Sequence, residues 1–157
     1  DRIKEGALEL ICLSPSKLRD EEGKSVDSTA GQTGSNADSL VLHLRYRGFS
    51  ALFTGDIPAK VELEVLPELV SGLTVLKAAH HGSGSSSCPE FLRGLSPALT
   101  IISCGEDNRY GHPHPRVLAD LAAVGSLVME TPKTGAVSLW TNGEKAEVSR
   151  FVQESSL

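Results

Sequence analysis

Cysteine is scarce in this sequence, with only Cys12, Cys88 and Cys104 among 157 residues. Their number is odd and no pair has the Cys-x-x-Cys spacing, so neither a disulfide framework nor a cysteine-rich zinc site is indicated. We expect all three to be small buried or half-buried side chains in a protein of a reducing compartment.

Long apolar runs and an excess of positive charge are also missing. No run approaches the roughly 18 to 20 residues of a membrane helix, and no signal peptide is visible. Lys and Arg number 15 against 20 Asp and Glu, giving a net charge of -5. This balance argues against a basic surface that coats nucleic acid, but it allows an enzyme that grips nucleic acid locally through a metal. Because the sequence opens at Asp1 without an initiator Met, we expect a fragment of a longer protein.

The apolar pattern predicts an α/β fold, with a mixed β-sheet and flanking helices. Strands alternate with helices through the middle of the sequence, and strand hairpins stand at both ends. Strands are predicted at 7–13, 39–46, 49–54, 73–79, 98–103, 126–131, 136–140 and 146–152, and helices at 59–70, 89–95 and 116–124. Pro67 should kink the first helix or end it early.

Residues 1–157 are taken as one partial domain, interrupted by a predicted disordered insertion at 16–38. That insertion holds almost no apolar residues and so cannot become ordered by burial. In the strand that follows it, His43 shares a face with Arg45 and Arg47 and is predicted to lie on a solvated strand face rather than to act as a ligand.

Asp56 is the first candidate site residue, because functional side chains in such sheets gather where strands end. It follows a predicted strand and Gly55, and a carboxylate there is a good ligand for a hard metal ion. The alternative is that Asp56 caps the helix that begins near Pro58.

The adjacent residues His80 and His81 form the second candidate group. On an extended strand neighbouring side chains point to opposite sides, so one histidine is expected to bind metal while the other meets substrate or a carboxylate. The alternative is a pair of partly buried histidines that only make hydrogen bonds.

A third group lies in the loop that contains Asn108, Tyr110, His112 and His114. His112 and His114 are two residues apart, which in an extended loop places both on one side as a possible chelating pair. The alternative is a proline-stiffened turn with solvent-exposed imidazoles. No glycine-rich phosphate loop of the P-loop or dinucleotide type and no Gly-x-Ser-x-Gly nucleophile motif is present.

Four stretches of the sequence resemble one family in order and spacing. They are NADSLVLHLRYRGFSALFTGDI, LKAAHHGSGSS, PALTIISCGEDNRYGHP and TGAVSLW, and they extend from about Asn36 to about Trp140. They resemble the C-terminal half of the metallo-β-lactamase-fold domain of ComEC-type competence proteins, which import DNA during transformation. The resemblance implies an αββα sandwich with up to two zinc or manganese ions.

The resemblance further implies roles for individual residues. Asp56 would be a bridging metal ligand and His81 a second metal ligand, with His80 available to a phosphate oxygen and with Asn108 and His112 near the same catalytic cleft. The implied reaction is phosphodiester hydrolysis, in which bound metal lowers the pKa of water toward about 7. The implied setting is the cytoplasmic side of a bacterial membrane protein, with incoming or single-stranded DNA, a membrane channel and the N-terminal half-domain as partners. No small-molecule cofactor is expected.

The family's main metal motif, His-x-His-x-Asp-His, is absent from this sequence, and residues 1–50 contain no substitute. Because zinc sites generally use at least three protein ligands, we expect this chain alone to bind metal weakly and to have little or no hydrolase activity. Two alternatives remain open. One is another phosphoesterase of the same fold that acts on phosphorylcholine or a nucleotide, and the other is a non-catalytic binding or structural module.

Overall fold

The computed structural model describes residues 1–15 and 36–151. The predicted insertion at 16–38 therefore lies outside the described residues, except for one turn of 3-10 helix at Asn36–Asp38. None of the helices in the described ranges combines the length and the apolar character needed to cross a bilayer.

Seven strands form one mixed sheet in simple sequential order. The antiparallel part comes first, and β4 to β7 then run parallel. Two further strands form a separate antiparallel hairpin. The strands are β1 (Arg2–Glu5), β2 (Leu8–Ser14), β3 (Val41–Tyr46), β4 (Phe49–Phe53), β5 (Val75–Lys77), β6 (Leu99–Ile102), β7 (Leu127–Glu130), β8 (Ala136–Thr141) and β9 (Ala146–Phe151).

Helices connect the parallel strands, which confirms the predicted mixed α/β fold. They are α1 (Ala59–Val65), α2 (Pro89–Leu95) and α3 (Pro115–Ala123). The single turn α4 (Thr131–Thr134) instead follows β7 and leads to β8. α2 and α3 begin with proline, whose missing N–H costs nothing at the first helical position. The prediction for Pro67 is confirmed, since α1 ends at Val65 and continues only as a 3-10 turn, Leu66–Glu68.

The main hydrophobic core lies between the sheet and α1, α2 and α3. Parallel strands in sequential order require crossovers of one hand, which brings the connecting helices to the same face of the sheet. The fully buried core side chains include Val41, Leu52, Leu76, Ile102, Phe91, Leu92, Leu95, Val117 and Leu121.

The opposite face of the sheet carries a smaller apolar cluster, formed by Phe49, Ala51, Val75 and Leu99. Leu139 of the β8–β9 hairpin packs against it. Three further apolar side chains on this face stay exposed: Leu8 at 40%, Phe53 at 47% and Leu127 at 60%. The described residues therefore cover this face only in part.

The environment of His43 differs from the prediction. Its side chain is only 4% exposed and packs on the helix side of β3, next to Leu52 of β4. The prediction was wrong because His43 lies on the face of β3 that the main core covers, as its pairing with the fully buried Leu52 shows. Burial lowers the pKa of His43, with a smaller contribution from Arg45, and its Nε2 has no hydrogen-bond partner among the described residues.

Other predictions concern the cysteines and the strand ends. Cys12, Cys88 and Cys104 are free and half-buried, as expected. The predicted strand at 73–79 is shorter, ending at Lys77, because a 3-10 turn at Ala79–Gly82 follows it. β1 and the single turn α4 were not predicted.

Candidate active site

Three neighbouring parallel strands deliver polar groups to one edge of the sheet. Asp56 follows β4, the histidine pair follows β5, and Ser103 follows β6. The carboxyl ends of parallel strands meet at the same edge, and here they bring His81 Nε2 to 3.7 Å from Asp56 Oδ1. Two of the predicted metal ligands therefore face each other.

The backbone at Gly55 explains how Asp56 is placed. Gly55 has a φ of +54°, and a Cβ there would lie 2.8 Å from the Cβ of Ser39. The Asp56 N–H donates to Ser39 Oγ at 3.2 Å. Pro58 is the N-cap of α1 and receives no side-chain cap, so the carboxylate of Asp56 does not serve as a helix cap.

The histidine pair does not lie on an extended strand, contrary to the prediction. His80 and His81 both have left-handed backbone conformations, with φ of 48° and 56°. Such a conformation costs a non-glycine residue about 1–2 kcal/mol, and backbone strain of this kind is concentrated at functional sites. The two rings still diverge, with centroids 6.4 Å apart and planes at 66°, because the turn rather than strand alternation separates them.

The ring of His81 is oriented by a backbone carbonyl. Its Nδ1 lies 2.6 Å from the carbonyl oxygen of Ser103, and because a carbonyl only accepts, Nδ1 carries the proton in this contact. In the neutral ring the lone pair is then on Nε2, the atom that faces Asp56. A histidine that donates one ring N–H to a carbonyl and offers the other nitrogen is typical of metal ligands.

His80 lies beside this pair, between Asn36 and His112. Its Nδ1 is 3.4 Å from the Nδ2 of Asn36, close to the limit of a hydrogen bond. Its ring is 5.8 Å from the ring of His112, edge to face. His80 is thus adjacent to Asp56 and His81 without an ion pair of its own among the described residues.

Asn108 organises the loop that carries His112. Its Nδ2 donates to the carbonyls of Gly105 at 2.8 Å and His112 at 2.7 Å, and its Oδ1 accepts from the His112 N–H at 2.8 Å. Both ends of the amide are therefore occupied by loop backbone. Asn108 acts in this structure by positioning His112, while its predicted catalytic role stays a prediction.

His112 is brought into the cluster, whereas His114 is not. His112 stacks on Tyr110, and its buried Nδ1 has no partner among the residues that the structure describes. Burial lowers the pKa of His112, and the nearby histidines 80, 81 and 114 lower it further. The Nδ1 of His114 instead accepts from the Arg116 N–H at 3.2 Å and caps α3, so the chelating pair is not formed.

Lys77 is a site residue that the sequence reasoning missed. It closes β5, is half-buried, and donates from Nζ to the carbonyl of Ala78 at 2.7 Å. Burial lowers the pKa of Lys77, while the negative charge of Asp56 opposes that effect. The signal was a lysine that ends an apolar strand just before the histidine pair.

Glu62 and Arg116, which were also not predicted as site residues, hold the glycine-serine loop after His81. The buried carboxylate of Glu62 accepts the N–H groups of Ser87 at 2.6 Å and Cys88 at 2.9 Å. Arg116 donates to three carbonyls of the same loop and to Asp120 at 2.7 Å. These contacts fix the loop between the site and α2, and no local sequence signal identified them.

The donor set fits part of a metal site. Asp56 and His81 offer an oxygen and a nitrogen that face each other. Across residues 1–15 and 36–151, no group of three or more His, Cys, Asp or Glu side chains could hold a metal ion. Since zinc sites use three or four protein ligands, the described residues provide an incomplete site.

The fold and site define an α/β chain with acidic and imidazole groups at the carboxyl edge of a parallel sheet. No protein-family model matches it. It is 40% identical over 105 residues to ComE operon protein 3 of Bacillus subtilis, covering 65% of this chain and 13% of that protein. It is 34% identical over 134 residues to Competence protein ComA of Neisseria gonorrhoeae, covering 83% and 18%.

A third relative is Recombination protein 2 of Haemophilus influenzae, 30% identical over 115 residues, covering 73% of this chain and 14% of that protein. The chain is therefore homologous to one segment of each of these much longer proteins, one of which is named as a competence protein.

Proposed function

We propose that this chain forms part of a metal-dependent phosphodiesterase site in a bacterial DNA-uptake protein. The main support for this proposal is that Asp56 and His81 follow adjacent parallel strands and face each other, with His81 Nε2 at 3.7 Å from Asp56 Oδ1. The Ser103 carbonyl supports this proposal, because it holds His81 in the tautomer that a metal ligand needs.

In the proposed site Asp56 and His81 would hold a divalent ion such as zinc or manganese. When bound, such an ion lowers the pKa of a water molecule and offsets negative charge on a phosphate. His80 lies next to the pair and would donate to a phosphate oxygen, and the positive charge of Lys77 near Asp56 would help to retain an anionic substrate. Asn108 would keep His112 in place.

Two observations support the remaining part of the proposal. The similarity to a competence protein supports a role in competence. The partly covered second sheet face, with Phe53 and Leu127 exposed, suits a further layer that would complete an αββα sandwich and supply the missing ligands. The chain spans under a fifth of each relative. Membrane attachment of the whole protein and DNA as its substrate are therefore parts of this proposal.

Calorimetric titration of Zn²⁺ or Mn²⁺ into the 157-residue chain tests the proposed site. We expect weak binding that Asp56→Ala and His81→Ala each reduce further. The control is Asp107→Ala, which removes an exposed carboxylate of the 105–114 loop. Equal binding by Asp56→Ala and the wild type would refute the assignment, and tight stoichiometric binding with clear nuclease activity would refute the incomplete site.

The non-catalytic alternative rests on one observation, the lack of a third ligand among the described residues. It predicts that Asp56→Ala leaves DNA processing unchanged in a full-length protein that carries this chain. A loss of DNA processing in that variant, with normal protein abundance, would favour the catalytic proposal.

A further inference from the structure

An ordered stack of side chains extends outward from the candidate site. The Tyr110 stack consists of Arg109, Tyr110 and His112. The rings of Tyr110 and His112 are 5.8 Å apart and inclined by only 20°. The guanidinium carbon of Arg109 lies 5.0 Å from the Tyr110 ring centroid, and its Nη2 donates to Tyr110 Oη at 2.9 Å.

Tyr110 is unusual in being both exposed and held in place. Its side chain is 66% exposed, yet its neighbours in the loop are fixed by the three hydrogen bonds of Asn108. The loop is also pressed against Gly82, where a Cβ would lie 2.9 Å from the Cβ of Pro113. An aromatic face that is already ordered loses little conformational entropy when a flat ligand stacks on it.

The stack leads directly to the proposed site. His112 is 5.8 Å from His80, and His80 is 6.4 Å from His81, which faces Asp56. A ligand that stacks on the outer side of the Tyr110 stack would therefore be connected to Asp56 and His81 by a continuous row of rings, Tyr110, His112 and His80.

The charges around the stack narrow the class of ligand. The Arg109 guanidinium lies over the Tyr110 ring, so a choline-like cation, which also seeks aromatic faces, would meet a positive charge there, whereas a neutral base can stack on the guanidinium plane. Glu106 and Asp107 precede Arg109 in the same loop, so phosphate attraction is weak there. Flat, neutral nucleobases are the remaining partners, and their faces are accessible in single strands but covered in a duplex.

We propose that the Tyr110 stack binds an unpaired base of a single-stranded nucleic acid, in the same strand whose phosphate is held at Asp56 and His81. This inference rests on the proposed function, because it adds a base-binding subsite, formed by Arg109 and Tyr110, to that site. The base would stack on Tyr110 and Arg109 without sequence preference, since every base has an aromatic face.

The test is fluorescence anisotropy of labelled oligonucleotides with the 157-residue chain in EDTA, where no metal-dependent hydrolysis occurs. The probes are oligo-dT, oligo-rU, an abasic deoxyribose-phosphate strand of equal length, and a duplex. The variants are Tyr110→Ala and Tyr110→Phe, with Trp140→Ala as the control because Trp140 is 63% exposed on β8.

We expect Tyr110→Ala to weaken dT binding by about 5- to 150-fold, the usual effect of one base–aromatic stack. Tyr110→Phe and Trp140→Ala should bind like the wild type, and the abasic strand should bind weakly to all four proteins. Equal effects on dT and rU would assign the site to single strands of either sugar, whereas a loss confined to one would assign it to DNA or to RNA.

Lack of wild-type binding to dT, an equal loss for dT and the abasic strand, or tighter binding of the duplex would each overturn the inference. These results are independent of the metal titrations with Asp56→Ala, so failure of the base site and failure of the hydrolytic site can be told apart.

Discussion

Replacing Glu62 gives the sharpest test of how the site is supported. Glu62 is fully buried in α1, and its carboxylate accepts the N–H groups of Ser87 and Cys88 just before α2 begins. Burial raises the pKa of Glu62, although these two N–H groups and Arg116 oppose the effect. The carboxylate therefore anchors the backbone at the end of the glycine-serine loop, just before α2.

The expected magnitude follows from these contacts. Glu62→Ala leaves two buried N–H groups without an acceptor, at about 1–3 kcal/mol each, and removes one buried methylene worth about 0.8 kcal/mol. Part of this loss is offset because the carboxylate no longer has to be desolvated. We expect the free energy of unfolding to fall by about 2–4 kcal/mol. Glu62→Gln retains one acceptor oxygen and should lose about half as much.

Urea unfolding followed by circular dichroism measures both variants, provided that the slope with denaturant stays constant. Glu64→Ala is the matched control, since Glu64 lies on the exposed side of α1 and forms only a 3.9 Å ion pair with Lys60. It should change stability by less than about 0.5 kcal/mol. A Glu62→Ala loss no larger than that of Glu64→Ala, or a Glu62→Gln loss larger than that of Glu62→Ala, would refute the proposed role of Glu62 in anchoring the loop.

The pH dependence of Glu62 has a defined sign. A carboxyl whose pKa is raised in the folded state binds its proton more tightly there than in the unfolded chain. Its stabilising contribution is therefore complete below the ordinary pKa of 4.5 and is lost as pH rises through the folded value. Relative to Glu62→Gln, the wild type should become more stable as the pH is lowered toward 4.5.

Three further predictions concern the surroundings of the site. Burial lowers the pKa of His43 below 6.5, so the unfolded chain takes up the proton first and the free energy of unfolding should fall as pH drops below 6.5. In urea titrations His43→Leu should weaken this pH dependence and raise the free energy of unfolding by about 1 kcal/mol at neutral pH. A pH profile unchanged by the substitution would contradict the prediction. Gly82→Ala should lower the free energy of unfolding by about 2 kcal/mol or more in thermal unfolding, because backbone strain adds to a 2.9 Å clash between the new Cβ and the 105–114 loop. Gly72→Ala is the control for strain alone, since Gly72 has a similar φ of +84° but open space around it. Equal losses in the two variants would exclude the clash. Arg116→Lys should cost about 1–3 kcal/mol in the same assay, because one ammonium cannot serve the three loop carbonyls and Asp120. The control Lys60→Ala removes an exposed cation of an i,i+4 pair and should cost less than about 0.5 kcal/mol. Similar losses in the two variants would argue against a role of Arg116 in holding the loop.

Much of the fold was predictable because its signals are local. Apolar alternation located the strands, and amphipathic periodicity located α3. The end of α1 before Pro67 follows from the chemistry of proline alone. The placement of Asp56 and of the histidine pair after successive strands predicted that they would meet at one edge, since parallel strands end together.

The conformations within the site were not predictable in the same way. The left-handed backbone of His80 and His81 opposes local preference, and it is maintained by surrounding contacts such as the hydrogen bond from the His80 N–H to the Gly55 carbonyl at 3.0 Å. The three hydrogen bonds by which Asn108 holds its own loop were also not predictable, because they depend on how the loop folds back on the amide.

The sequence Val61-Glu62-Leu63 shows where local reasoning ends. By hydropathy Leu63 should be buried and Glu62 exposed, but Leu63 is 46% exposed and Glu62 is fully buried. Amino-acid order alone determined the α/β pattern and the positions of Asp56 and His81 at strand ends, because periodicity and turn chemistry act over a few residues. Only tertiary structure decided that Glu62 and His43 are buried and that two histidines adopt a left-handed turn, because each depends on groups more than ten residues away that pack against it.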